Sequence, residues 1–203
     1  MRAHVREAVL RVARKRGLSS GDTRGWSEIS IRDVIAEAGI SIGTFYKYFK
    51  DRSDLAQTLW LEPVNDLRSL MQARFDAAAD PTEKVRALLD SYAGFALENR
   101  RLFRAAFLFV RPDDNPRPDP VALESEVLYR GLHAAFVDGQ RSGDFRDFDP
   151  KEMAQLFWAA IHGSLALPEN LDRFQFDPPA QLSANMVEAL MQMIAAPPDQ
   201  DGD

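Results

Sequence analysis

The sequence predicts an all-α chain, with a small N-terminal three-helix domain carrying a helix-turn-helix and a larger helical C-terminal domain. Three observations predict it. Apolar residues recur at helical spacing along the chain, no stretch reads convincingly as a strand, and Gly, Ser or Pro falls where one periodic run gives way to the next. At 203 residues and 45% apolar, the chain suits one sizeable domain or a small domain fused to a medium one, and it can build a real core.

The elements follow in order. Val5, Ala8, Val9 and Val12 share one helical face, Arg2, Arg6, Arg11, Arg14, Lys15 and Arg16 surround it, and Gly17 supplies the stop. Residues 18–28, rich in Gly and Ser, read as a loop. Ser30 looks like an N-cap, with Asp33 three residues on as in a capping box. Ile31, Val34, Ile35 and Ala38 form the apolar face of a short helix, and Gly39 suits the left-handed residue that ends it. Ser41 caps a second short helix, from Ile42 to about Phe49. A third starts near Arg52 or Ser53 and runs to about Ala79; Pro63 inside it is expected to kink it. Asp80-Pro81 opens a helix to about Leu97, and another spans Asn99 to Val110. Four prolines make 111–120 a loop. Helices over about Val121–Ser142, Pro150–Leu167 and Pro179–Ala195 complete the domain, followed by a disordered tail. The expected domains are 1–52, 53–196 and the tail 197–203.

Composition excludes several classes. With no cysteine there is no disulfide framework, thiol nucleophile or cysteine-based zinc site. Met1 leads straight into a charged periodic helix, and no run of apolar residues reaches membrane length, so the expectation is a cytoplasmic protein without membrane contact. His4, His133 and His162 lack metal-ligand spacing, and no nucleophile motif, phosphate loop or zinc-hydrolase helix is present. No cofactor, no metal and no enzymatic activity are expected. The net charge of −6 divides unevenly: residues 1–60 carry 11 Lys/Arg against 7 Asp/Glu, and the remainder 14 against 24. Such asymmetry suits an N-terminal part that faces nucleic acid, although an acidic surface kept for solubility accounts for it too.

The short helices around Gly39-Ile40-Ser41 have helix-turn-helix spacing. Gly39 allows the turn, Ile40 plugs the corner, and Phe45 and Phe49 anchor the second helix from behind. Ile42, Thr44, Tyr46, Lys47 and Tyr48 are then left to face solvent or a major groove, and their hydroxyl and ammonium groups suit phosphate oxygens. On spacing alone, any helical hairpin with Gly in its turn fits as well.

The wording of residues 29–55, ISIRDVIAEAGISIGTFYKYFKDRSDL, closely resembles the DNA-binding signature of the TetR family of bacterial regulators. That signature reads Ile-Ala-x-x-Ala-Gly-Val-Ser, then x-Gly-Thr-Leu-Tyr-x-His/Tyr-Phe, then a short polar link and a basic residue. Here it stands as VIAEAGIS, IGTFYKYF, KD and Arg52, without a gap. The resemblance implies that Thr44, Tyr46 and Tyr48 of the recognition helix meet the DNA backbone, and Ser41 is counted with the DNA-binding residues. It implies that Ile42 and Lys47 occupy variable positions facing bases or backbone. Arg32 would reach phosphate or a base edge, Arg52 would grip phosphate at a helix N-terminus, and Lys50 would add attraction. Ile42 is apolar where a polar reader is more informative, and it suits a thymine methyl. The loop 18–28 is longer than the family's usual link. Either Trp26 folds back onto the first helix, or Arg24 reaches the DNA.

The resemblance also implies a C-terminal domain that dimerises through its last two helices and binds a small effector. Small residues from Ala159 to Ala166 allow close helix approach, and Phe157–Leu167 is apolar nearly all round, as a helix between core and partner needs. Aromatic residues in this half read either as ordinary core or, together, as a pocket for an apolar or aromatic effector. Its candidate residues are Tyr92, Phe103, Phe107, Phe136, Trp158 and His162, with Tyr92 and His162 as polar handles. The expected function is a homodimeric repressor on a palindromic double-stranded operator, released by that effector. A regulator of the same fold without effector, or an activator, remains open; an enzyme or carrier fits less well.

Overall fold

The computed structural model describes residues 1–16, 29–100, 103–104, 121–171 and 173–197, and of residues 52, 53 and 56–62 the backbone alone. Among these it contains eight α-helices: α1 Arg2–Lys15, α2 Ile31–Ala38, α3 Ile42–Tyr48, α4 Arg52–Ala77, α5 Pro81–Glu98, α6 Val127–Ser142, α7 Pro150–Asn170 and α8 Pro179–Ile194. No strand is present among them beyond an isolated bridge between Phe145 and Ala195. The loop 18–28 with Arg24 and Trp26, the helix expected over most of 99–110 with Phe107, the proline segment 111–120 and nearly all of the expected tail lie outside the described residues. No helix of the described residues is long and apolar enough to cross a membrane.

The chain divides into two compact units, Met1–Asp66 with Asn99–Val110, and Leu67–Glu98 with Arg111–Asp203. In the first, α1 buries Val5, Ala8, Val9, Val12 and Ala13, the face its periodicity marks. These pack with Ile29, Val34, Phe45, Phe49 and Leu55 in one core, against which Ile31, Ile35 and Ile40 also rest. The α2 N-terminus carries the expected capping box. Ser30 Oγ accepts from Asp33 N, and the Asp33 carboxylate accepts from Ser30 N at 2.9 Å. At the other end Gly39 is left-handed, at φ 63°. Ile40 N donates to Ile35 C=O and Gly39 N to Ala36 C=O, which together form a Schellman ending with Ile40 packed on the same core as Ile35. Ser41 then caps α3, its Oγ accepting from Thr44 N at 3.1 Å.

In the second unit α5, α6, α7 and α8 pack around Leu88, Leu89, Leu132, Phe136, Phe157, Ile161 and Ile194, all fully buried. Phe136 lies in an aromatic cluster, its ring centroid 4.9 Å from Phe157, 5.4 Å from Phe148 and 6.1 Å from Phe145. Arg68 pairs with Glu126, and Arg86 with Glu188. Asp149 caps α7 by accepting from Lys151 N, with Pro150 at the first helical position.

Two helix limits differ from expectation. The helix expected from Val121 begins at Val127, after a single 3-10 turn over Leu123–Ser125. Ser125 Oγ donates to Ala122 C=O at 2.7 Å, and Glu126 is extended, so a local side-chain bond replaces the first helical turn. The helix expected to stop at Leu167 continues through Pro168 to Asn170. Pro168 falls in the final turn, where a missing N–H costs one hydrogen bond and the next bond, Leu171 N to Leu167 C=O, still forms. At Pro63, α4 runs on as an unbroken helix.

Candidate nucleic-acid interface

A short helix shows its function by which side it leaves outside. On α3, Phe45 and Phe49 are buried and their rings stack at 5.2 Å, so the opposite side must face outward. Successive residues turn by about 100°, which places Lys47 almost diametrically opposite the two anchors, flanked by Gly43 and Thr44. Ile42 is 58% exposed and Tyr46 53%, and Ser41, Lys47, Tyr48 and Lys50 are exposed too. Thr44 is half-buried, its hydroxyl 2.9 Å from Ser41 Oγ. Arg32 is exposed on α2. The side chain of Arg52 is not among those described. A seven-residue helix thus leaves an isoleucine, two tyrosines and a lysine in water, although burial would stabilise Ile42 by a kcal/mol or two on the usual scale, about 1.5–3 for a large apolar side chain.

Ion pairs hold α1 against this motif. Glu37 of α2 accepts from Arg11 Nε at 2.9 Å and from Lys15 Nζ at 2.6 Å. Asp33 faces Arg16 at 2.9 Å. The hydrogen bonds from Lys15 and Arg11 hold the Glu37 carboxyl below its ordinary value, and the Ser30 hydroxyl and backbone, with Arg16 behind them, do the same for Asp33. His4 Nε2 donates to the C=O of Ala38 at 2.8 Å, satisfying a carbonyl left over at the end of α2.

The second unit holds a polar trio around the buried Tyr92, with Trp158 and His162 half-buried. The Tyr92 hydroxyl lies 2.8 Å from His162 Nδ1, and Trp158 hydrogen-bonds to the same hydroxyl. An indole only donates, so the Tyr92 oxygen accepts from Trp158, while the direction of the Tyr92–His162 bond follows the imidazole tautomer. Burial lowers the imidazole pKa of His162, favouring its neutral form, and pushes the Tyr92 phenol up to about 12.

Residues 22–59 match the model of a family described as bacterial regulatory proteins, tetR family, and residues 85–194 match that of a tetracyclin repressor-like C-terminal domain. The chain belongs to the TetR family. Solved structures share its fold. A regulatory protein in the tetR family from Rhodococcus RHA1 is 18% identical, with 97% of each chain covered and a TM-score of 0.64. The transcriptional regulator FadR from Bacillus subtilis, in complex with stearoyl-CoA, is 18% identical over 95% of this chain and 98% of that one, at 0.64. A protein from Saccharomonospora viridis in complex with choline is 18% identical over 97% and 98%, at 0.67.

Within this TetR-family fold the residues expected at DNA gather on and around α3, apart from the undescribed Arg52 side chain. The expected effector residues do not form one group. Tyr92, Trp158 and His162 come together, from α5 and α7. Phe136 is wholly buried among Phe145, Phe148 and Phe157. Phe103 is buried and belongs to the first unit. Sequence reading passed over three residues around α3: His4, Arg2 and Asp54. All are polar residues without a motif, and their partners lie 34 to 52 positions away. Only the basic crowding of the first helix hinted at them. Among the described residues no group of His, Cys, Asp and Glu could hold a metal ion.

Proposed function

We propose that this TetR-family chain is a homodimeric repressor that reads a palindromic operator through α3 and releases it when a small apolar or aromatic effector binds. The observation that carries the reading is the outward side of α3. Tyr46, Lys47 and Tyr48, with Ile42 at the N-terminal end of the helix, stand in solvent while Phe45 and Phe49 are fixed in the core. Thymine methyls suit Ile42, and hydroxyl and ammonium groups suit phosphate. Arg32, Ser41, Thr44, Lys50 and Arg52 complete the assignment. DNA reading is assigned to residues 1–52, and effector binding with dimerisation to 53–196.

For dimerisation the supporting feature is α7. Leu156 and Leu167 are 50% and 46% exposed, with the small residues Ala159, Ala160 and Gly163 between them at helical spacing. Such a seam fits close packing against another helix. For the effector, the structures of this fold in complex with stearoyl-CoA and with choline support a small ligand, and we assign Tyr92, Trp158 and His162 of the second unit as its polar handles. The neutral His162 has no charge with which to hold a carboxylate, which favours an apolar or aromatic ligand. Effector binding shifts the dimer toward a spacing of its two α3 helices that no longer fits successive major grooves, with a coupling of about 1–3 kcal/mol.

The test is fluorescence anisotropy of the purified chain with a duplex from the region upstream of its own gene, against a scrambled duplex of equal length. Salt-sensitive preference for the first, at two protomers per site, is expected. Absence of binding to any genomic duplex in a selection would sink the reading.

A further inference from the structure

Behind α3, the first turn of α1 meets the link into α4. Arg2 Nη2 donates to the C=O of Tyr48 at 2.7 Å. The same guanidinium faces the Asp54 carboxylate at 3.3 and 3.4 Å, and its carbon lies 5.0 Å from the Phe49 ring centroid. Tyr48 ends α3, so its carbonyl has no partner within that helix. Asp54 lies in the first turn of α4. Its Oδ2 also accepts from Lys50 N at 3.0 Å, and its own N–H donates to Asp51 Oδ1 at 2.8 Å. One ion pair therefore closes both ends of the link. The cation sits at the negative end of α3 and the anion at the positive end of α4, the favoured sign at each.

We propose that Arg2 and Asp54 are positioning residues for DNA recognition. Together they hold the backbone from Tyr48 to Lys50, and so set where the side chains of Tyr48 and Lys50 meet the DNA backbone. The inference rests on the reading of α3 as the DNA-facing helix. Its physical basis is a division between stability and binding. The Arg2 side chain is 50% exposed and that of Asp54 22%, and an ion pair of this kind adds little to folding. A misplacement of the residues it holds weakens every contact they make. A merely structural pair moves stability; a positioning pair moves affinity.

The experiment compares the full-length wild type with Arg2→Ala, Asp54→Ala, the double variant and Arg2→Lys. Thermal unfolding is measured for each, and binding to the two duplexes described above. Arg2→Ala and Asp54→Ala are each expected to weaken binding by about tenfold, ~1.4 kcal/mol. The double variant is expected to bind no more weakly than the weaker single one, because the two act as a unit. Arg2→Lys keeps the charge opposite Asp54 and recovers part of the loss. The sign for Asp54→Ala is decisive. It removes a negative charge from beside phosphate, which by electrostatics alone tightens binding. If Asp54→Ala binds more tightly, if Arg2→Ala binds as the wild type does, or if the two losses add, the proposal is overturned. Where Asp54→Ala unfolds, Arg2→Ala decides alone, since it leaves the buried face of α1 intact. A wild type that binds neither duplex nor any genomic sequence overturns the DNA reading itself, and the inference falls with it.

Discussion

At the scale of the residue, Gly43 links stability to function. It lies inside α3 with an ordinary helical backbone, since only Gly39 and Gly143 take positive φ among the described residues. A Cβ placed on it meets nothing nearer than Ser41 Oγ at 3.9 Å. Nothing within the described structure therefore requires a glycine, yet glycine inside a helix costs roughly 0.5–1 kcal/mol relative to alanine. A close approach from outside gives it a reason, because Gly43 lies on the same side of α3 as Lys47. Gly43→Ala is expected to stabilise the fold by about 0.5–1 kcal/mol and at the same time weaken operator binding by about tenfold or more. Urea unfolding and anisotropy on the same preparation check both signs. Unchanged affinity with raised stability would remove the close approach from the account. The anchoring residues were legible because they obey period and size: Phe45, Phe49 and Ile40 lie where apolar spacing puts them. Arg2 and His4 were not legible, because a long polar side chain on α1 finds its carbonyl only after the helices have packed.

At the scale of the element, α1 and α2 are joined by charge as well as by core. The pKa values of Glu37 and Asp33 are both lowered in the folded chain, from 4.5 and 3.8. A carboxyl lowered on folding adds stability that is complete above its unfolded value and lost as pH falls through the folded one. The first unit should therefore weaken progressively in acid, beginning as pH drops below the ordinary carboxylate range. Glu37→Gln is expected to be less stable than wild type near pH 7, and the difference to be smaller near pH 3, below the ordinary value at which the unfolded chain takes up the proton. Denaturation midpoints at the two pH values, followed by far-UV circular dichroism, test this; a constant difference would show that the pairs contribute nothing pH-dependent. On α7 the element-scale prediction concerns the seam from Leu156 to Leu167. Leu156→Glu sets a charge where an apolar helix partner is expected, and an unpaired buried charge costs several kcal/mol. The dimer should dissociate at least ~30-fold more readily while the monomer keeps its helix content, since Leu156 is half exposed to begin with. Sedimentation equilibrium reads the result, and an unchanged association constant would place the dimer contact elsewhere.

At the scale of the whole molecule, charge and topology have to act together. The fold class was legible because nearly every turn of helix repeats the same statement, apolar at 3.6-residue spacing between Gly, Ser or Pro stops. Among the described residues the one helix start that differed, at Val121, gives way to a local turn that includes a Ser125 side-chain bond periodicity does not register. The effector residues were hardest to read, because a buried aromatic looks the same in sequence whether it fills a core, as Phe136 does, or joins a polar trio, as Tyr92 does. Charge separation was legible, and it sets the last prediction. Residues 1–60 are net +4 and the remainder net −10, so the acidic part repels DNA and the attraction must come from a few cations at close range. Those assigned to each protomer are Arg32, Lys47, Lys50 and Arg52. If all four of each protomer neutralise phosphates, a dimer releases about eight counterions, and log K falls with log salt at a slope near −7; one protomer gives about half of that. Titrations between roughly 50 and 200 mM NaCl measure it. Lys47→Ala should reduce the dimer's slope by about two if Lys47 meets phosphate in both half-sites, and leave the slope while changing sequence preference if it reads bases. A slope near zero would remove phosphate neutralisation from the mechanism. A slope near half the dimer value, with two protomers bound, would mean that only one α3 engages the duplex, which the palindromic arrangement forbids.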